Sequence, residues 1–326
     1  MIQSSVSLAD KNWFQTGGKA KFYCEPINEA EFQAALKFAN EINLNVFVLG
    51  SGANVLISDL GFDGLIIHPR LTEIKFEADS EDNILVTAGS GATIADLINA
   101  CLENKALGLE EFSGIPGTVG GAVFINIHFF KFLLGQFLIR ARVISRLNQK
   151  TFVVDQNWFN FGYNQSALQS GEFYLIDATF KLRAVSELEA AYAKGRSHEI
   201  VRYRSWRYPT TRTCGSFFRN FHEHEVYEIV QGRKMIYVAY YLDKLGLKGT
   251  LRSGKAQVSH QHANMIVAED GATSADIIAV ARIMQQSVFE KFGILPQPEC
   301  LLIGFKDYPL LDPKLSQTQK QLEFAI

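Results

Sequence analysis

The stretch that decides the fold runs Ser113-Gly114-Ile115-Pro116-Gly117-Thr118-Val119-Gly120-Gly121-Ala122-Val123-Phe124-Ile125-Asn126. Gly114, Gly117, Gly120 and Gly121 fall within eight consecutive positions, with Pro116 among them. Glycine loses the most conformational entropy on ordering and proline lacks an amide donor, so the spacing predicts a loop and excludes a helix or a well-packed strand. Such a loop offers bare backbone N–H groups and room for close approach, which an anion or a flat cofactor requires. The apolar run Ala122 to Ile125 then reads as a buried strand or helix start behind the loop. Composition alone leaves a turn-rich connector as an equal alternative.

Two further glycine turns shift that balance. Val46-Phe47-Val48-Leu49 leads into Gly50-Ser51-Gly52-Ala53-Asn54, and Ile84-Leu85-Val86-Thr87-Ala88 leads into Gly89-Ser90-Gly91-Ala92. Neither matches the dinucleotide fingerprint G-x-G-x-x-G. Three glycine turns, each beside an apolar run, predict loops that converge on one ligand.

The order G-S-G-A-N-V-L-I-S-D (50–59), G-S-G-A (89–92) and S-G-I-P-G-T-V-G-G-A-V (113–123) resembles the UDP-N-acetylenolpyruvoylglucosamine reductase family, also called UDP-N-acetylmuramate dehydrogenases. Matching segments recur from about Asn12 to Phe305. The resemblance implies an α+β protein: an FAD-binding fold of two α+β lobes, of the vanillyl-alcohol-oxidase/PCMH type, and a C-terminal α+β substrate-binding domain. The implied limits are 1–69 and 70–193 for the lobes, 194–305 for the substrate domain and 306–326 for a polar tail. The positions it assigns to FAD are Gly50, Ser51, Gly52, Ala53, Asn54, Val55, Ser90, Gly91, Gly114, Ile115, Pro116, Gly117, Thr118, Gly120, Gly121, Ala122 and Asn126.

The implied activity is reduction of UDP-N-acetylglucosamine enolpyruvate to UDP-N-acetylmuramate for peptidoglycan synthesis, with FAD as hydride carrier and NADPH as electron donor. Protein side chains donate no hydride, so a cofactor must carry that step. Ser216, in Gly215-Ser216-Phe217-Phe218-Arg219-Asn220, stands where the family has its proton-donating serine. Glu299 stands at the catalytic glutamate. In Phe161-Gly162-Tyr163-Asn164-Gln165-Ser166, where the family writes G-Y-R-x-S, Asn164 replaces the catalytic arginine. Tyr163 and Asn220 are the implied substrate contacts.

Between Lys194 and Arg219 lie seven basic residues and one acid, Glu199. A solvated helix face explains such a run. A diphosphate substrate also calls for the planar guanidinium fork, which makes Arg204 and Arg207 candidates to grip it. Arg140, Arg142 and Arg146 are candidates for the cation missing at Asn164. His128 is expected to be packed, and His222-Glu223-His224-Glu225 to be a polar connector, since its histidines are two apart and not four.

The chain has 326 residues, 47% hydrophobic and 20% charged, with a net charge of −2. These values fit a globular protein of several domains and give no global pull toward nucleic acid or anionic membrane. Cys24, Cys101, Cys214 and Cys300 form no C-x-x-C pair, which argues against zinc and disulfides and for a reducing cytoplasm. The first residues lack a basic region followed by an apolar core, and no apolar window is long enough to span a bilayer. A cytoplasmic monomer with no metal, acting on a small UDP-sugar, is the expectation. Two functions stay open: an active reductase with a modified charge-stabilising site, or a flavin-binding homologue with lost or altered activity. A flavin oxidase would leave the serine and glutamate pair unexplained.

Overall fold

The computed structural model describes residues 2–312, so residues 313–326 of the expected tail lie outside the described residues. The chain forms two compact units that are not contiguous in sequence. The first contains Ala20–Ser51 and Asp63–Ser205 with the residues up to Val6; the second contains Ser7–Lys19, Gly52–Phe62 and the chain from Trp206 onward.

In the first unit a four-stranded sheet runs in the order Gln3–Ser7, Lys19–Cys24, Phe62–Ile67, Asn45–Val48, the last two parallel. Helix α1, Glu29–Glu41, is capped by Asn28, whose Oδ1 accepts from the Glu31 amide at 2.9 Å. It buries Phe32 and Leu36 against Leu65 and Ile67. A larger antiparallel sheet runs Thr151–Asp155, Leu138–Ser145, Phe173–Ala184, Asn83–Gly89, Ile74–Ala78, with Ala106–Leu107 also paired to the long third strand. Its apolar face packs on helices α2, Ile94–Glu103, and α3, Val119–Ile125, through Val86, Phe180, Leu97 and Val123.

Helix α3 corrects the reading of the glycine stretch as loop throughout, because Gly120 and Gly121 are helical. Thr118 caps it by accepting from the Gly121 amide at 3.3 Å, which offsets the weak propensity of glycine. At Gly120 a Cβ would lie 3.0 Å from the Ser90 carbonyl oxygen, so a larger residue would push the helix off the neighbouring turn. Helix α4, Glu187–Arg207, is tied to the same stretch by the Ser113 and Ser197 hydroxyls at 2.7 Å and by the Arg196 fork on Glu111.

In the second unit helices α5, Val238–Lys244, and α6, Ser274–Phe292, pack with the sheet Arg252–Ser253, Ala256–Val258, Ile266–Ala268 around Phe217, Tyr241, Val280 and Met284. The expected start of α6 at Thr273 and Asp276 is a reciprocal capping box, and Gly293 at φ +68° ends it. Leu301–Ile303 runs parallel to Val55–Ile57, which draws Leu56 and Phe14 into this core. Leu310 is buried in it too, and the Leu311 amide donates to Gln285 at 2.9 Å.

Candidate active site

Within the first unit the three glycine turns converge. The Gly120 amide donates to the Ser90 carbonyl at 2.9 Å, the Val119 amide to Ala92 at 2.8 Å, and the Ile94 amide to Gly117 at 3.0 Å. A Cβ on Gly50 would come within 2.4 Å of the Thr118 hydroxyl, so the first turn also touches the third and can do so only as glycine. Gly117 sits at φ +147° with open space where a side chain would stand, and a Cβ on Gly121 would meet only the Thr118 hydroxyl at 3.7 Å. Beside them the Ser90 hydroxyl is buried without a hydrogen-bond partner. An uncovered backbone cradle with an orphaned hydroxyl fits an anionic, hydrogen-bonding group such as the pyrophosphate of FAD.

The implied cofactor positions do not all present side chains to that cradle. Ala122 is buried in the core beside Val119 and Val123. Asn126, left-handed at the end of α3, uses its amide structurally: Nδ2 donates to the Gly162 carbonyl at 3.1 Å and Oδ1 accepts from the Gly135 amide at 2.8 Å. Gly52, at φ +67°, approaches the Asn12 backbone too closely for a Cβ, and Val55 is a buried strand residue. In the second unit Asn54 lies beside the glutamate segment, its Nδ2 donating to the Glu299 carbonyl at 3.3 Å.

The Asn126 bond fixes the turn that carries Tyr163 and Asn164 to the end of α3, and the Ser166 hydroxyl adds a 2.7 Å bond to the Phe124 carbonyl. Asn164 is left-handed at φ +53°, a conformation asparagine tolerates better than most residues. Both polar atoms of its side chain are buried and unpartnered. The Tyr163 ring packs on His128 with centroids 4.9 Å apart, so His128 is a packed residue, and burial lowers its pKa. Of the candidate replacement cations, Arg142 is paired with Asp177 and Glu29, Arg146 donates to the Leu44 carbonyl, and Arg140 is exposed on its strand opposite Asp155.

The second unit brings Ser216 and Glu299 onto adjoining strands. Phe218 bridges Pro298, and the Arg219 amide donates to the Gln297 carbonyl at 2.9 Å. Ser216 bridges Met265 on its other side, where the Asn264 side chain donates to the Phe218 carbonyl at 2.7 Å and accepts from the Phe218 amide at 3.2 Å. Asn264 thus acts as an extra strand residue for the serine segment. It lies in the motif Val258-Ser259-His260-Gln261-His262-Ala263-Asn264, but nothing in that spacing identifies the bond. Gly215, at φ +78°, has open space beside it. His262 accepts from the Asn264 amide at 3.3 Å, and burial with the Arg207 charge lowers its pKa to about 4.

The basic segment is largely structural. Arg196 pairs with Glu111, Arg202 with Glu199, Arg212 with Asp270, and Arg219 makes a two-point bridge to Glu225 while donating to the Asn220 carbonyl. Arg204 lies over the Phe129 ring, and Arg207 over Tyr208. Among the described residues no cluster of His, Cys, Asp or Glu could hold a metal ion, and no helix is long and apolar enough to cross a membrane.

Residues 20–143 match the model of an FAD binding domain, and residues 207–303 that of the UDP-N-acetylenolpyruvoylglucosamine reductase C-terminal domain. The chain is 32% identical to the UDP-N-acetylenolpyruvoylglucosamine reductase of Synechococcus sp. (strain JA-3-3Ab), covering 95% of this chain and 94% of that protein. It is 35% identical to that of Lactobacillus delbrueckii subsp. bulgaricus (strain ATCC BAA-365 / Lb-18), with coverages of 93% and 95%. The crystal structure of the Thermus caldophilus enzyme shares the fold with a TM-score of 0.74 at 24% identity, covering 93% of this chain and all of that one. The FAD-domain match, the C-terminal match and the full-length relatives agree with the converging glycine turns and with the serine and glutamate on adjoining strands: the chain belongs to the UDP-N-acetylenolpyruvoylglucosamine reductase family.

Proposed function

We propose that this protein reduces UDP-N-acetylglucosamine enolpyruvate to UDP-N-acetylmuramate, with NADPH as the electron source, and so serves peptidoglycan synthesis, cell shape and division. The observation that carries the reading is the placement of Ser216 and Glu299 on adjoining strands held by main-chain hydrogen bonds. FAD, when bound at the glycine turns, supplies the hydride. Ser216 holds the proton destined for the α-carbon; a positioned acid of this kind contributes about 10²–10⁴-fold. Glu299 and the Asn164 amide serve the substrate's carboxylate side, where charge develops as the double bond is reduced. Tyr163, Asn220, Arg204 and Arg207 hold the rest of the UDP-sugar. Four cysteines that remain thiols support a reducing cytoplasm as the site of action, and we take the working form to be a monomer.

One observation favours a second reading, a flavin-binding homologue with altered activity: a neutral amide stands where the family places a cation. Incubating the FAD-loaded protein with NADPH and the enolpyruvyl substrate decides between the two. Stoichiometric UDP-N-acetylmuramate by mass spectrometry supports the reductase, and NADPH oxidation without that product supports the homologue.

A further inference from the structure

The Arg204 stem lies against the glycine stretch: a Cβ on Gly114, which is at φ +75°, would come within 3.2 Å of the Arg204 Cδ. Its guanidinium carbon stands 5.5 Å from the centre of the Phe129 ring. Phe129 belongs to the two-strand hairpin His128–Phe129 and Phe132–Leu133 that follows Asn126. The residue next to it, His128, carries the Tyr163 ring at 4.9 Å. One short hairpin therefore supports both Arg204 and the turn whose asparagine has a buried, unpartnered amide. A guanidinium stacked on a ring keeps its in-plane donors for a ligand and loses little entropy in binding one.

We propose that Arg204 supplies the positive charge this chain lacks at Asn164, pairing with the substrate's carboxylate and not with its diphosphate. The Asn164 amide adds a neutral donor to the same carboxylate. This assignment rests on the reductase reading above and gives one of its substrate-binding arginines a specific partner. It also gives a role to the bulky hairpin, where relatives are expected to carry small residues: the hairpin is the platform that holds the cation.

The test compares two ligands that differ by one carboxylate. UDP-N-acetylmuramate carries it and UDP-N-acetylglucosamine does not, while both carry the diphosphate. In calorimetric titrations of the FAD-loaded protein, Arg204→Gln should weaken UDP-N-acetylmuramate about 10- to 100-fold, the size of a lost charge-assisted hydrogen bond, and leave UDP-N-acetylglucosamine within about 2-fold. Arg204→Lys, which keeps the charge, should retain most of the discrimination and stands in if the glutamine variant folds poorly. Equal loss for both ligands would assign Arg204 to the diphosphate and overturn the proposal; no loss for either would reduce it to hub packing. If wild-type protein binds neither ligand, the reductase reading itself fails, a result the variants cannot mimic.

Discussion

The Glu299 amide donates to the Phe217 carbonyl at 2.8 Å, and the next amide, that of Cys300, donates to the same oxygen at 3.3 Å. Two successive amides on one carbonyl are the hydrogen-bond pattern of a β-bulge, a device that re-aims a side chain. Phe217 directly follows Ser216, so the glutamate's direction is set by the strand that bears the serine. The Asn264 side chain holds that strand from the other side through Phe218. Backbone bonds thus fix the pair before any ligand binds.

From this we expect Ser216→Ala to leave NADPH-driven flavin reduction intact and to slow substrate-driven reoxidation by about 10²–10⁴-fold. Glu299→Gln should show its defect in the same half-reaction, without loss of fold, because its bulge is made by backbone atoms. Single-turnover absorbance traces separate the two half-reactions; a defect in flavin reduction would contradict both assignments.

Gly121 gives a clean test of the cradle. It is helical and has open space, so Gly121→Ala should stabilise the flavin-free protein by about 0.5–1 kcal/mol through the ordinary helix preference. The same methyl group intrudes on the cofactor, so flavin occupancy should fall. A higher melting temperature for the flavin-free form with a lower flavin-to-protein absorbance ratio is the expected pair of results. Unchanged occupancy would place the cofactor elsewhere.

His262 makes stability sensitive to acid. Its folded pKa is about 4 against an ordinary 6.5, lowered first by burial and then by Arg207. A base with a depressed pKa is neutral in the native state, so the unfolded chain gains the proton more readily. Its contribution is complete above pH 6.5 and is lost as pH falls from 6.5 toward 4. Denaturation midpoints across that range should show the decline, and His262→Gln should flatten it.

Much of this was legible in the residues. Cap pairs, apolar periodicity and the glycine turns gave the helices, the antiparallel strands and the convergence of three loops. The helicity of Gly120 and Gly121 was not legible, because it depends on the Thr118 cap and on the Ser90 carbonyl, a contact remote in sequence. Nor was the grouping of residues 7–19 and 52–62 with the C-terminal unit, which follows from the parallel pairing of Val55–Ile57 with Leu301–Ile303. Spacing also cannot reveal a bulge, so Glu299 was found only by its place in a motif. The arginine run is a like case: ion pairs with distant carboxylates decide which members are structural.

Asn164→Arg tests whether the missing cation has already been replaced. With Arg204 in that role, a second guanidinium crowds one carboxylate and must also adopt a left-handed φ that costs arginine more than asparagine. The variant should reoxidise its flavin no faster than wild type, and more slowly if the turn distorts. A large rate gain would mean that the native protein lacks the charge.

The most direct measurement of the central claim is anaerobic mixing of the NADPH-reduced protein with UDP-N-acetylglucosamine enolpyruvate, followed by the flavin absorbance. The account predicts that the oxidised flavin spectrum returns in a single exponential phase that depends on substrate and yields one equivalent of UDP-N-acetylmuramate. A flavin that stays reduced in the presence of excess substrate, and reoxidises only when air is admitted, would contradict it.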